Sequence, residues 1–174
     1  MDKIIRYNLL TILVVFVTFS GFQSCKISYS FTGANLPADV KTFSVAFFPN
    51  RAKLIYPDLS QSLTEGLREK LRRQTSLNEK DEAGDLEFSG YISNYEIRPT
   101  AIQKKDLAAQ NRLTITINVK YTNNKNHDLD FERSFSGYED YDTTKSLDEV
   151  EAELVNIIIE KLTEDIFNAT IADW

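Results

Sequence analysis

One cysteine, one histidine and one tryptophan in 174 residues leave little material for site chemistry. A lone thiol closes no internal disulfide. With His127 as its only potential companion, no Cys/His set can surround a transition metal. The G-x-S-x-G elbow, the P-loop and the dinucleotide-binding glycine pattern are all missing. No apolar stretch reaches the roughly 20 residues that a bilayer-spanning helix needs. Basic residues are outnumbered, 20 Lys and Arg against 26 Asp and Glu, and that balance excludes nucleic-acid binding through the bulk field. The chain therefore reads as non-enzymatic, with no catalytic residue, metal ligand or cofactor expected.

What is present starts at the N-terminus. Lys3 and Arg6 form a basic opening, and Leu9 to Phe19 run apolar without a charge. Ser20, Gly21, Phe22, Gln23 and Ser24 then lead to Cys25. That order predicts a secretory leader over residues 1–24, ending at a lipidation cysteine. An ordinary cleaved signal with a stray cysteine, or an uncleaved anchor, is the plainer alternative. Phe22 stands where an aliphatic residue is usual, whereas Ser24 fits. Acyl chains on Cys25 would anchor the protein stably to a membrane. Lys26, rather than Asp, favours the outer membrane of a diderm bacterium and a domain facing the periplasm. Losing Lys3, Arg6 and Asp2 with the leader moves the formal net charge from −6 to −7.

Residues 25–39 read as a lipidated linker, and residues 40–174 as one domain. Phe43, Val45 and Phe47 alternate in a strand that Pro49 stops. Pro57 opens a helix whose Leu59, Leu63, Leu67 and Leu71 form one stripe, with Arg68, Glu69, Arg72 and Arg73 on the other faces. Residues 76–85 read as a polar connection, and Asp81, Glu82 and Asp85 as ordinary loop charges. In the next strand, parity switches around Gly90, which suggests a bulge or a strand buried on both faces, and Pro99 interrupts. Leu113, Ile115, Ile117, Val119 and Tyr121 alternate with polar residues, one face buried and one wet. Asn123–Asn126 make a hairpin turn. Leu129, Phe131 and Phe135 carry the pattern into a fourth strand ending near Gly137. Ser146 and Glu149 form a capping box for a last helix striped with Leu147, Val150, Leu154, Ile157, Ile158, Leu162 and Ile166. The expected fold is α+β: a two-layer α/β sandwich in the order β-α-β-β-β-α, with two helices packed on one face of a four-stranded sheet.

Three groups of side chains invite a functional reading. His127 sits in the hairpin turn and reads as solvated. Tyr138, Glu139, Asp140, Tyr141 and Asp142 read as a loop cluster, with cation binding as the less favoured option. Arg98, Lys104, Lys105 and Arg112 bracket one end of the central hairpin. Such cations can grip the phosphates of an anionic amphiphile, or simply keep a long loop soluble.

Several stretches resemble the LptE-type lipopolysaccharide-assembly lipoproteins. They are DVKTFSVAFFPN (39–50), LSQSLTEGLREKL (59–71), GDLEFSGYISNYEIRPTAIQ (84–103), NRLTITINVKYTN (111–123), FSGYEDYD (135–142) and EDIFNATIADW (164–174). The resemblance implies the same α/β sandwich and a plug inside a large outer-membrane β-barrel of the LptD type, whose assembly it assists. It also implies contact with lipopolysaccharide, for which Arg98, Lys104 and Lys105 are candidates chosen by charge. A periplasmic adaptor or pilot lipoprotein for another envelope complex is the alternative.

Overall fold

Strand Thr42–Val45 (β1) leads into helix Leu59–Gln74 (α1), followed by Asn78–Glu79 (β2), Leu86–Thr100 (β3), Gln110–Asn123 (β4), Phe131–Asp142 (β5) and helix Leu147–Phe167 (α2). The computed structural model describes residues 36–54, 56–100 and 110–172. The leader, Cys25, most of the linker, Lys104, Lys105 and Trp174 lie outside the described residues.

The sheet has five strands in the order β2-β1-β3-β4-β5. The expected four are joined by β2, which lies parallel to β1. Asn78 and Lys80 donate their backbone N–H groups to Lys41 and Phe43 O, at 2.9 and 2.8 Å. Both β2 residues are exposed, so no apolar alternation marks them in the sequence. The strands β3, β4 and β5 form an antiparallel meander.

β4 sets the layering. Leu113, Ile115, Ile117, Val119 and Tyr121 are all buried on one side, and both helices cover that side. The four α1 leucines are fully buried there. On α2, Ile158 and Leu162 meet β5 at Gly137, where an added Cβ would lie 2.9 Å from Ile158 Cγ2. α1 and α2 meet each other at Gly66, against Ile159 and Thr163. Burying each such leucine or isoleucine is worth about 1.5–3 kcal/mol. The capping box at Ser146 and Glu149 is formed as expected.

Several local expectations are corrected. β1 ends at Val45, so Phe47 turns outward and Phe48 takes the buried position, its N–H donating to Thr64 Oγ1 at 3.1 Å. The bulge falls at Ser93, between Ile92 and Asn94. There the buried parity passes from Leu86, Phe88 and Ile92 to Tyr95. Gly90 instead serves close approach, since a Cβ there would sit 2.0 Å from Asn118 O. Pro99 does not interrupt β3; it pairs with Asn111. Ile92 exchanges backbone bonds with Pro49 and Arg51 on the β1 side. Past the bulge, alternation along β4 turns Tyr95, Ile97 and Pro99 to that same outer edge. Among the described residues no strand pairs there beyond Ile92, so the missing N–H costs no ladder bond. The acidic–aromatic cluster belongs to β5, which runs to Asp142. Arg68 does not simply face solvent, because it donates to Val45 O at 2.8 Å and ties α1 to β1.

Asp85 is no ordinary loop charge. Its Oδ2 accepts from the N–H of Lys41 and Thr42 and from Thr42 Oγ1, at 2.9, 3.0 and 3.0 Å. Its Oδ1 pairs with Lys125 Nζ at 2.9 Å. The Lys41 N–H, first, and the Lys125 ammonium hold its carboxyl well below the usual carboxylate range. One side chain thus joins the start of β1 to the β4–β5 turn. Because the folded group keeps its charge to lower pH than the unfolded one, its contribution is complete above about pH 4 and drains away as pH falls through the folded value. Asp85→Asn should therefore lower stability at neutral pH and flatten the acid limb of the stability curve. Urea titrations across that range check this, and an acid limb unchanged in the variant would refute it.

Candidate interaction face

Among the described residues, the side of the sheet away from the helices is polar and has no element packed over it. Cross-strand register lines up its rows. Arg98, Arg112 and Asp140 form one row; Glu96, Thr114 and Tyr138 the next; Asn94, Thr116 and Ser136 a third. Tyr91, Asn118 and Ser134 follow, then Ser89, Lys120 and Glu132. No aliphatic side chain interrupts these rows. β4 alone is 14 residues long, about 45 Å at roughly 3.3 Å per residue.

The polar groups answer one another across the strands. Thr116 Oγ1 lies 3.1 Å from Ser136 Oγ, and Ser134 donates to Asn118 Oδ1. Arg112 grips Asp140 with two bonds, at 2.7 and 2.8 Å, while its guanidinium lies 3.8 Å over the Tyr138 ring. That pairing raises the Arg112 pKa and lowers the Asp140 carboxyl, each chiefly through the hydrogen bond to the other. Arg98, directly opposite Arg112 in the register, pairs with Glu96 at 2.7 Å.

Of the four cations picked out by charge, the structure thus brings Arg98 and Arg112 side by side and gives each its own carboxylate. Lys104 and Lys105 lie outside the described residues, as does Cys25. The sequence carried no sign of these pairings, because Asp140 seemed to belong to a loop. Strand alternation also divides the acidic cluster: Asp140 and Asp142 share the open face, while Glu139 turns to Lys161 of α2. Among the described residues, no three His, Cys, Asp or Glu side chains group so as to hold a metal ion. His127 stays at the turn, with Nδ1 3.0 Å from Asp130 Oδ2. Among the same residues, no helix is long and apolar enough to cross a membrane.

This architecture coincides with a family match. The family described as LptE, lipopolysaccharide-assembly, matches residues 40–170, from just before β1 into the π-helical turn after α2. The chain belongs to the LptE family. No curated protein matches it in sequence. Among solved structures, it resembles the rare lipoprotein B from Shewanella oneidensis at 15% identity and a TM-score of 0.51, covering 72% of this chain and 92% of that one. A hypothetical protein from Chlamydia trachomatis is similar at 8% identity and a TM-score of 0.50, over 72% and 92% of the two chains. A minor lipoprotein from Acinetobacter baumannii aligns at 16% identity and a TM-score of 0.48, over 73% and 89%. The first two likenesses, at such identities, speak to the fold alone. In this LptE-family chain, the helix side supplies the core and the other side of the sheet is polar.

The Arg112–Asp140 pair offers a direct check of that face. In a double-mutant cycle with alanine at each position, unfolding should show a favourable coupling at low salt that shrinks as salt rises. No coupling at low salt would mean that the two charges are independently solvated.

Proposed function

We propose that this LptE-family chain is the outer-membrane lipoprotein subunit of a lipopolysaccharide translocon. In this reading Cys25 carries the acyl anchor, and the folded domain is a non-catalytic plug and assembly partner of an LptD-type β-barrel. The observation that carries the reading is the family match, which spans nearly all of the folded domain. The uncovered sheet face supports it physically. A large outer-membrane barrel encloses a polar, wet interior. A face of hydroxyls, amides and paired charges can enter such a lumen without stranding apolar surface. It can also exchange its water for wall hydrogen bonds at little net cost. An apolar partner would instead leave those groups unsatisfied. The rigid three-strand meander gives the insert a fixed shape, and the anchor holds it at the membrane that contains the barrel.

Lipopolysaccharide would be met by the cations at the β3–β4 tip, with Lys104 and Lys105 as the principal phosphate ligands. Arg98 and Arg112 would have to trade their carboxylate partners for phosphate, which makes them the weaker candidates.

A tagged chain drawn from native outer membranes in mild detergent should bring a large β-barrel with it in stoichiometric amount, identified by mass spectrometry. A secretin or cell-wall synthase in its place would transfer the chain to the adaptor or pilot class. Cys25→Ala should abolish acyl labelling in cells, and labelling that persists would refute the anchor. Replacing Arg98, Lys104 and Lys105 together with alanine should preserve the fold and reduce photo-crosslinking to lipopolysaccharide. Undiminished crosslinking would remove those residues from the ligand's path.

A further inference from the structure

The loop between β1 and α1 carries a second surface, of different chemistry, which adjoins the polar sheet face where Arg51 lies over Tyr91. From Val40 to Pro57 there is no aspartate or glutamate, although the chain has 26 of them in 174 residues. The charges in that stretch are Lys41, Arg51 and Lys53. Within it, Phe47 is 59% exposed and Leu54 53%, more than any other large hydrophobic side chain among the described residues.

These side chains are displayed by a fixed backbone. Phe48 and Ala52 point inward and are buried. Ile92 donates to Pro49 O at 3.0 Å and accepts from the Arg51 N–H at 2.9 Å, which pins the loop to β3. Asn50 Oδ1 closes the bend by accepting from the Ala52 N–H at 2.9 Å. The Arg51 guanidinium rests 4.4 Å over the Tyr91 ring. Neither Arg51 nor Lys53 has a carboxylate within ion-pair distance among the described residues. They differ in this from Arg68, Arg72, Arg98 and Arg112, each of which is paired.

Two outward apolar side chains flanked by two cations without carboxylate partners among the described residues, in an otherwise acidic chain, match the chemistry of an anionic lipid surface. Apolar groups gain by entering the boundary between headgroups and acyl chains, and Arg and Lys gain at the phosphates above it. We propose that the β1–α1 loop docks on an anionic phospholipid leaflet, with Phe47 and Leu54 inserted and Arg51 and Lys53 at the headgroup phosphates. This goes beyond the proposed function and needs no barrel. It gives the domain a second membrane contact, which would fix its orientation where a lipid anchor alone would let it turn.

The test places an environment-sensitive probe on a single introduced thiol. Leu54→Cys, in the full chain reconstituted into phosphatidylethanolamine vesicles rich in phosphatidylglycerol, should be quenched by nitroxide-bearing lipids. Leu129→Cys, an exposed position on the β4–β5 connection, should not. The unsubstituted chain, labelled in parallel, reports any signal from Cys25 for subtraction. Removing Arg51 and Lys53 by alanine substitution should lower the docked-to-undocked ratio about fivefold for each cation. Equal quenching at positions 54 and 129 would overturn the proposal. Quenching at 54 that survives exchange of phosphatidylglycerol for phosphatidylcholine would overturn it too. The vesicles contain no barrel, so either result leaves the translocon reading to its own test.

Discussion

Five side chains on one side of β4, from Leu113 to Tyr121, must be kept from water, and most of the architecture follows from meeting that demand on one face only. Helix α2 descends across β5, where Gly137 lets Ile158 and Leu162 come down onto the strand. Helix α1 packs beside β1 with its four leucines buried. The two helices then close on each other where Gly66 removes a side chain between them. Neither helix is apolar all round: α1 carries Arg68, Arg72 and Arg73 on its remaining surface. A strand with period two places its polar residues opposite its apolar ones. With both helices spent on one side, the opposite side has no cover among the described residues.

The cations of that side are paired internally rather than left as a basic patch. Arg98 and Arg112 would repel each other across the strands, yet each leans on a carboxylate from its own side of the hairpin, Glu96 or Asp140. Lys120 stands opposite Glu132 in the register. A face of this kind offers little long-range attraction to an anion, because its cations stand within a Debye length of carboxylates that outnumber them. It selects by hydrogen-bond geometry once contact is made. Unpaired phosphates would have to displace Asp140 from a bidentate bond to reach Arg112, whereas a polar protein wall can add bonds to the pair without breaking it. The net charge of the chain and the local balance of the face both favour a protein partner there over an anionic lipid.

Much of this was legible in the sequence because the signals were local and periodic. The β4 alternation, the leucine stripe of α1, the capping box at Ser146 and Glu149 and the asparagine turn each depend on residues within a few positions of one another. What escaped was set by distant partners. β2 exists because backbone groups of Lys41 and Phe43 lie beside it, not because Asn78 and Glu79 favour a strand. Pro99 stays in β3 because its edge has no neighbour there among the described residues, which only the strand order reveals. Phe47 and Phe48 exchange places because Thr64 of α1 captures the Phe48 N–H. Asp85 looked like any loop acid until the fold brought Lys41, Thr42 and Lys125 around it. The pairing of Arg112 with Asp140, 28 positions apart, likewise needed the register of two strands. The LptE resemblance could be recognised from wording spread along the chain, even though no single motif carries chemistry.

The distribution of charge completes the physical picture. An acidic domain held near an anionic membrane is repelled from it, so any surface meant to touch lipid must be cleared of carboxylates locally. The 18 residues from Val40 to Pro57 contain none, and the fold turns Phe47, Arg51, Lys53 and Leu54 outward from that same stretch. Covering Phe47 and Leu54 within the domain would have been favourable by the same hydrophobic effect that buries Phe48. The backbone bonds of Pro49 and Arg51 to Ile92 hold the loop in a conformation that forgoes that gain. A fold that keeps apolar groups exposed on a rigid, acid-free loop retains that burial energy for a surface outside itself. The polar sheet face, in contrast, has no such gain in reserve, and it suits a partner that matches it bond for bond.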